Sequence, residues 1–322
     1  MKKHTKIISL LLAVVLIMTV MSMTVWASSG NGFIYEFADD EIIITGYNGT
    51  ENSVEIPAEI DGYPVTTIAN FAFVECTSVT EIIISAAISS IGLNALHCEN
   101  IENIFVDEDN QNYSNDEHGV LFNKNKTLLI SYPSGNTATV YSIPDSVETI
   151  GYAAFYGAVN LSIVEIPDSV TKFELGAFSH SAISSVTIPG SITKIGEAAF
   201  NTCPLLTSIT ISKNVTIIGN SAFYGCTSLE EVNYCGTKEE WDNLKNNSEI
   251  YNDELFDAPV NYEVHINNDG NKNCDICDTL LFNCTCNCHS TSGFISFFWK
   301  ILNFFQRIFG INKYCECGIS HY

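Results

Sequence analysis

"SVTKFELGAFSHSAISSVTIPGSITKIGEAAFNTC", residues 169–203, says nearly the same thing twice. Ser-Val-Thr-Lys-Phe, Ala-Phe and Ile-Pro are followed by Ser-Ile-Thr-Lys-Ile and a second Ala-Phe. Aligned on the aromatic, Phe73, Leu96, Phe155, Phe178, Phe200 and Phe223 share one column, with steps of 23, 59, 23, 22 and 23 residues. A single insertion of 36 residues accounts for the long step. A second column holds Ile56, Ile84, Ile143, Ile166, Ile188 and Ile211, followed by Pro57, Ser85, Pro144, Pro167, Pro189 and Ser212. A third holds Ile68, Ile91, Ile150, Phe173, Ile195 and Ile218. Repetition at a fixed period marks a unit that cannot bury its own apolar face and must stack on its neighbours.

Each copy contains a stretch such as Ile183-Ser184-Ser185-Val186-Thr187-Ile188, whose last residues alternate in, out, in as a half-buried strand does. Proline lacks the amide to continue a ladder, so the strand stops there and the chain turns. The pattern predicts a leucine-rich-repeat solenoid at residues 54–234, with short parallel strands on one face and irregular or short helical turns on the other. Both ends need covers, because bare sheet edges invite aggregation. Residues 28–53 contain Phe33 to Phe37, Asp39-Asp40 and Glu41 to Ile44, which read as a capping hairpin. Residues 235–262 form the other cap and a linker, with a short helix from Lys238 to Leu244.

The recurring Ile-Pro-x-Ser-Val-Thr-x-Ile-Gly-x-x-Ala-Phe-x-x-Cys resembles the BspA-like class of bacterial leucine-rich repeats over roughly residues 54–241. The segment at about 105–140, with Phe105-Val106-Asp107, Gly119 to Phe122 and Leu128 to Pro133, is similar to a longer variant coil of that family. In it Asn123 to Lys126 would turn a hairpin. Tyr234-Cys235-Gly236-Thr237 followed by Glu239-Glu240-Trp241 is similar to the segment that closes the array. The resemblance implies an exported surface protein that binds a protein or glycan, as adhesins do.

Lys2, Lys3 and Lys6 precede an apolar run from Ile7 to Val20, and Val25-Trp26-Ala27 supplies small residues at the minus-three and minus-one positions. Residues 1–27 therefore read as a secretory signal peptide, and the expected location is secreted or at the cell surface of a Gram-positive bacterium. The full chain carries 14 Lys+Arg against 37 Asp+Glu; removing the three leader lysines leaves 11 against 37, a formal charge of −26. Nucleic acid is excluded as a partner by that balance, since phosphate binding needs a basic surface.

Outward strand positions form a ladder that is the expected ligand surface: Ile83, Phe105, Ser142, Glu165, Thr187, Thr210 and Asn233. Ile83 and Phe105 are its apolar anchors, or else they contact the insertion hairpin. The ladder holds no Ser/His/Asp set, no paired His and no phosphate-cradling glycine loop, so no enzyme is expected. Cys76, Cys98, Cys203 and Cys226 recur at one place in their coils; neighbouring coils could pair them, or they fill the core as small apolar groups.

Composition changes after about Tyr262. Residues 263–322 hold seven of the 12 Cys, and two chemistries compete there. Zinc would use Cys274, Cys277, Cys284, Cys286, Cys288, His289, Cys315 and Cys317, in keeping with the C-x-x-C spacing. Disulfides suit an exported chain, although seven is odd. Asn267 to Asn271 looks like a calcium-loop fragment with too few carboxylates to bind. Between the clusters, residues 294–309 form an amphipathic aromatic helix in which Phe297, Phe298, Trp299, Lys300, Phe304, Phe305 and Arg307 suit a membrane or envelope interface; the other reading packs it inside the molecule. The tail resembles C-terminal segments of exported proteins from Gram-positive anaerobes. A passive stalk, displayed or attached by this module, is the alternative to a binding array.

Overall fold

The computed structural model describes residues 31–263, together with the backbone of two-residue strands at Ala27–Ser28, His265–Ile266 and Lys272–Asn273. Residues 1–26 of the expected leader, the candidate zinc ligands and the aromatic helix lie outside the described residues.

Each coil opens with a short strand. Ser53–Ile56, Glu81–Ile84 and Asn103–Val106 pair in parallel, as do Val140–Ser142, Ile163–Glu165, Ser185–Ile188, Ser208–Ile211 and Glu231–Tyr234. The register keeps equivalent residues opposite one another, so Val186 faces Ile209 and Ile209 faces Val232, all three buried. A turn follows in which the carbonyls of Pro144, Pro167 and Pro189 accept from the amides of Val147, Val170 and Ile192 at 3.0, 3.1 and 3.2 Å. The chain then runs along a second side through two-residue strands such as Thr149–Ile150, Lys172–Phe173, Lys194–Ile195 and Ile217–Ile218, also paired in parallel. A third side has no strands, yet the amides of Phe155, Phe178 and Phe200 donate to the carbonyls of Ala177, Ala199 and Ala222 at 2.8, 2.7 and 2.8 Å. Neighbouring coils are thus tied together from three sides over much of the stack, and the turns opposite the strands are irregular. Hydroxyls add ties: Thr171 Oγ1 donates to Glu148 O and Thr216 Oγ1 to Thr193 O, which occupies much of the Ser/Thr content in holding coils together.

Inside runs an aromatic spine. Phe155, Phe178, Phe200 and Phe223 stack with ring centroids 4.9, 5.0 and 5.3 Å apart and planes within 15°. These spacings lie close to the inter-strand distance, which makes ring on ring the favourable arrangement. The column extends further than the Phe residues: Tyr132 stacks on Phe155 at 5.2 Å, and Tyr47 on Phe73 at 5.6 Å. The 59-residue step is therefore two coils, one of 36 residues ending at Tyr132 and one of 23.

The Ile-Gly of the repeat has a steric cause. A Cβ on Gly196 would lie 2.7 Å from the Phe173 carbonyl oxygen of the preceding coil, and one on Gly219 an equal 2.7 Å from the Glu197 amide nitrogen.

The longer coil forms a hairpin, Leu121–Asn123 against Leu128–Ser131, as expected from its Asn-Lys-Asn-Lys turn. Its second strand joins the second side beside Thr149–Ile150. Alternation along the first strand joins two cores: Leu121 packs in the N-terminal cluster, while Val120 and Phe122 pack in the C-terminal one.

The N-terminal cover is the expected hairpin, Phe33–Ala38 against Glu41–Tyr47, turning through Asp39 and Asp40 at φ of 50° and 66°. At the other end helix α1, Lys238–Asn247, starts with a Thr237–Glu240 capping box and runs three residues beyond the expected Leu244. Helix α2, Asp253–Asp257, follows. Trp241, Leu244 and Leu255 cover the last coil. Between the helices Asn252 acts as a substitute coil: its Oδ1 accepts from the Phe223 amide at 3.1 Å, and its Nδ2 donates to the Gly219 carbonyl at 3.0 Å. Parallel pairing also continues past the expected solenoid boundary at 234, because Val260–Asn261 pairs with Glu231–Tyr234.

Candidate interaction surface

The strand-bearing side is the face on which the outward ladder lies. Ile83 pairs with Phe105 across neighbouring strands, and Phe105 is 39% exposed. Val140 and Ile163, paired two residues before the ladder positions Ser142 and Glu165, are 46% and 41% exposed. Sequence reading missed these two because their equivalents in other coils are Ser53, Glu81, Ser185 and Ser208, so nothing in the repeat marks the position as apolar.

Between the two sets the ladder of strands is interrupted. The amide of Ile104 donates to Gly119 O at 3.1 Å, the Val106 amide to Asn115 Oδ1 at 2.9 Å, and Asn136 Nδ2 bridges Glu102 O and His118 O. Asp116 locks this segment: its Oδ1 accepts from the amides of His118 and Val120, and its Oδ2 accepts from the buried Tyr141 hydroxyl at 2.7 Å. Burial, reinforced by that carboxylate, pushes the Tyr141 hydroxyl well above the usual phenol range. Asp116 is thereby a brace of the longer coil.

Acids on the face are held by their neighbours. Ser53 Oγ donates to Glu81 Oε1 at 2.6 Å, and Ser142 Oγ donates to Glu165 Oε2. Glu165 and Ser142 are exposed, and Thr187 is half-buried. Thr210 and Asn233 correct the expected ligand surface: they are 7% and 1% exposed and do not belong to an open face. The added strand at Val260–Asn261 is part of the reason, since Asn261 Nδ2 donates to Asn233 Oδ1 at 3.1 Å and to Glu231 Oε1 at 2.9 Å. The available ladder therefore runs from Glu55 through Ile83, Phe105, Ser142 and Glu165 to Thr187.

The repeated cysteines are free and buried. Cys76, Cys98, Cys203 and Cys226 donate from Sγ to the carbonyls of Tyr47, Val79, Phe178 and Phe200 at 3.4, 3.2, 3.1 and 3.1 Å. Burial pushes the Cys76 thiol up to about 12, and Cys235 likewise up to about 12. Three or more metal-ligating side chains are nowhere gathered among the described residues. No helix among those residues is long and apolar enough to cross a membrane.

A three-sided stack with an open face of this kind has relatives. A leucine-rich repeat protein from Eubacterium ventriosum is similar at 31% identity and a TM-score of 0.50, over 56% of this chain and 48% of its own. The chain thus spans about half the length of that protein. A leucine rich cell surface protein from Faecalibacterium prausnitzii matches at 21% identity over 70% of this chain and 99% of its own, with a TM-score of 0.43. The T. pallidum leucine rich repeat protein matches at 25% identity over 64% and 80%, with a TM-score of 0.35. No curated protein matches the chain. The model of the BspA type leucine rich repeat region matches in 6 copies, over residues 51–138 and 131–248, more than half of the 322 residues. The chain belongs to the BspA-type leucine-rich-repeat family.

Proposed function

We propose that the chain is an exported, non-enzymatic surface protein, adhesin-like, whose strand-bearing face recognises an extracellular protein or glycan. The observation that carries this reading is the exposure of Phe105 beside Ile83 on a face where parallel pairing joins their two strands and ties the Ile83 strand to Ser53–Ile56. A rigid exposed aromatic loses little conformational freedom on binding and is the type of side chain that dominates recognition energetics. Membership of a repeat family that forms scaffolds supports binding over turnover.

The test is an array of extracellular matrix proteins and glycans probed with the purified chain and with Phe105→Ser and Ile83→Ser variants. Capture that weakens about tenfold or more in the variants supports the reading, and capture indifferent to both rejects it. Within the same proposal, residues 263–322 attach the protein to the envelope through zinc or disulfides and the aromatic helix. Metal content measured by mass spectrometry, alongside free-thiol counting, decides between zinc and disulfides. Removing the segment is expected to release the protein from cells while leaving ligand capture intact.

A further inference from the structure

A second apolar surface lies on the strandless side, away from the ladder. Phe71 and Val74 are each 47% exposed and Leu93 is 50% exposed. They come from neighbouring coils and are fixed by backbone contacts: the Phe71 amide donates to Leu93 O at 3.0 Å, the Leu93 amide to Asn70 Oδ1 at 2.7 Å, and the Val74 amide to Phe71 O at 3.1 Å. Phe71 also sits at φ +59°, in the left-handed region that bulky side chains avoid. Equivalent positions in other coils carry Asn94, Ala153, Gly176, Ala198 and Ser221, all small or amide side chains suited to that turn. An exposed phenyl ring there costs backbone strain without filling the core, which points to use at the surface.

Charge identifies what the patch can receive. Residues 31–123 contain 17 Asp+Glu and not one Lys or Arg. Glu75 and Glu99, both exposed, stand one residue from Val74 and six from Leu93 in the coils of the patch. A second copy of this chain, at a formal charge of −23, would be repelled, and so would anionic lipid or nucleic acid. We propose that Phe71, Val74 and Leu93 dock a basic protein segment that presents apolar side chains among Lys or Arg. Preorganisation by the three backbone contacts limits the entropy lost on docking, and the surrounding carboxylates speed encounter.

The experiment uses the full chain and a labelled amphipathic helical peptide of Leu and Lys, followed by fluorescence anisotropy, with polylysine and a Leu/Glu peptide as comparators. Expected are binding of the Leu/Lys peptide that weakens as salt rises, no binding of the Leu/Glu peptide, and a loss of about tenfold or more in a Phe71→Asn, Leu93→Asn double variant. Asn tolerates the left-handed turn, as Asn94 does one coil on, so the double variant folds, and its unchanged or raised Tm verifies this. Phe105→Ser on the strand face is expected to leave peptide binding unchanged, which separates this proposal from the adhesin reading. The proposal is overturned by equal binding of the double variant, by no binding of the Leu/Lys peptide, or by polylysine binding as well as the amphipathic peptide. Self-association that disappears in the double variant would overturn it too, by making a second copy the occupant.

Discussion

At the scale of single residues, His97 shows how stacking changes an ordinary side chain. Its ring meets Tyr156 edge-on at 4.8 Å, and Tyr156 meets His180 at 4.9 Å. Burial lowers the His97 pKa, and Glu99, the acid that faces it, only partly restores it. The folded state therefore holds His97 neutral at pH values where the unfolded chain already binds a proton. Since the unfolded state binds more protons in that window, the contribution is present above the ordinary imidazole range and is lost as pH falls through it. Tm is expected to fall further between about pH 7.5 and about pH 5 in the natural chain than in a His97→Phe variant, which keeps a ring against Tyr156. Differential scanning calorimetry of both proteins checks this, and parallel slopes would contradict it. The same scale shows where sequence is least informative. The cysteine column could be read as pairs or as core, because a thiol's neighbours decide its role; the carbonyls beside Cys203 and Cys226 belong to residues 25 and 26 positions away. Thr210 looked outward by alternation, and alternation says nothing about what lies above a residue.

One coil is the element of this fold, and every coil with Phe or Leu in the spine column carries a left-handed residue two positions before it. The φ values are 50° at Asn94, 48° at Ala153, 67° at Gly176, 52° at Ala198 and 53° at Ser221. Only glycine adopts this conformation without a Cβ clash, so the alanines hold it against a local preference of about 1 kcal/mol. Ala198→Gly is expected to raise the unfolding free energy by about 1 kcal/mol, read as a higher denaturant midpoint at constant m. A lower midpoint would mean that the Ala198 methyl contributes more packing than its backbone costs. Most of the coil was legible because three apolar columns must align for any coil to be buried. The 36-residue coil was read as an insertion because its spine residue is Tyr132, which breaks the Ala-Phe phrase. A flat ring is all the spine requires, and the extra hydroxyl reaches Asn136 Oδ1 at 3.3 Å at the edge of the stack. Asn252, the substitute coil, left no trace in the repeat, since one amide there does the work of a whole backbone segment.

Over the whole molecule, stacking sets like charges in successive coils close together. Residues 31–263 hold 33 Asp+Glu and 7 Lys. Three lysines pair with acids, Lys172 with Glu174 at 2.6 Å, Lys194 with Glu249 at 3.3 Å and Lys238 with Asp242 at 2.7 Å, all on the surface. Such exposed pairs are each worth under about 1 kcal/mol. Salt would weaken these few attractions and also the far more numerous repulsions, so the sign of its effect reports which dominates. With carboxylates outnumbering cations by more than four to one, repulsion prevails, and the compact stack is destabilised by its own charge. Tm is expected to rise as NaCl goes from about 10 mM to about 150 mM, where the screening length falls from roughly 30 Å to roughly 8 Å, several coils to fewer than two. A flat or falling Tm over that range would mean that the carboxylates are neutralised by contacts within the fold, and the electrostatic basis for a basic partner at the N-terminal half would fall with it.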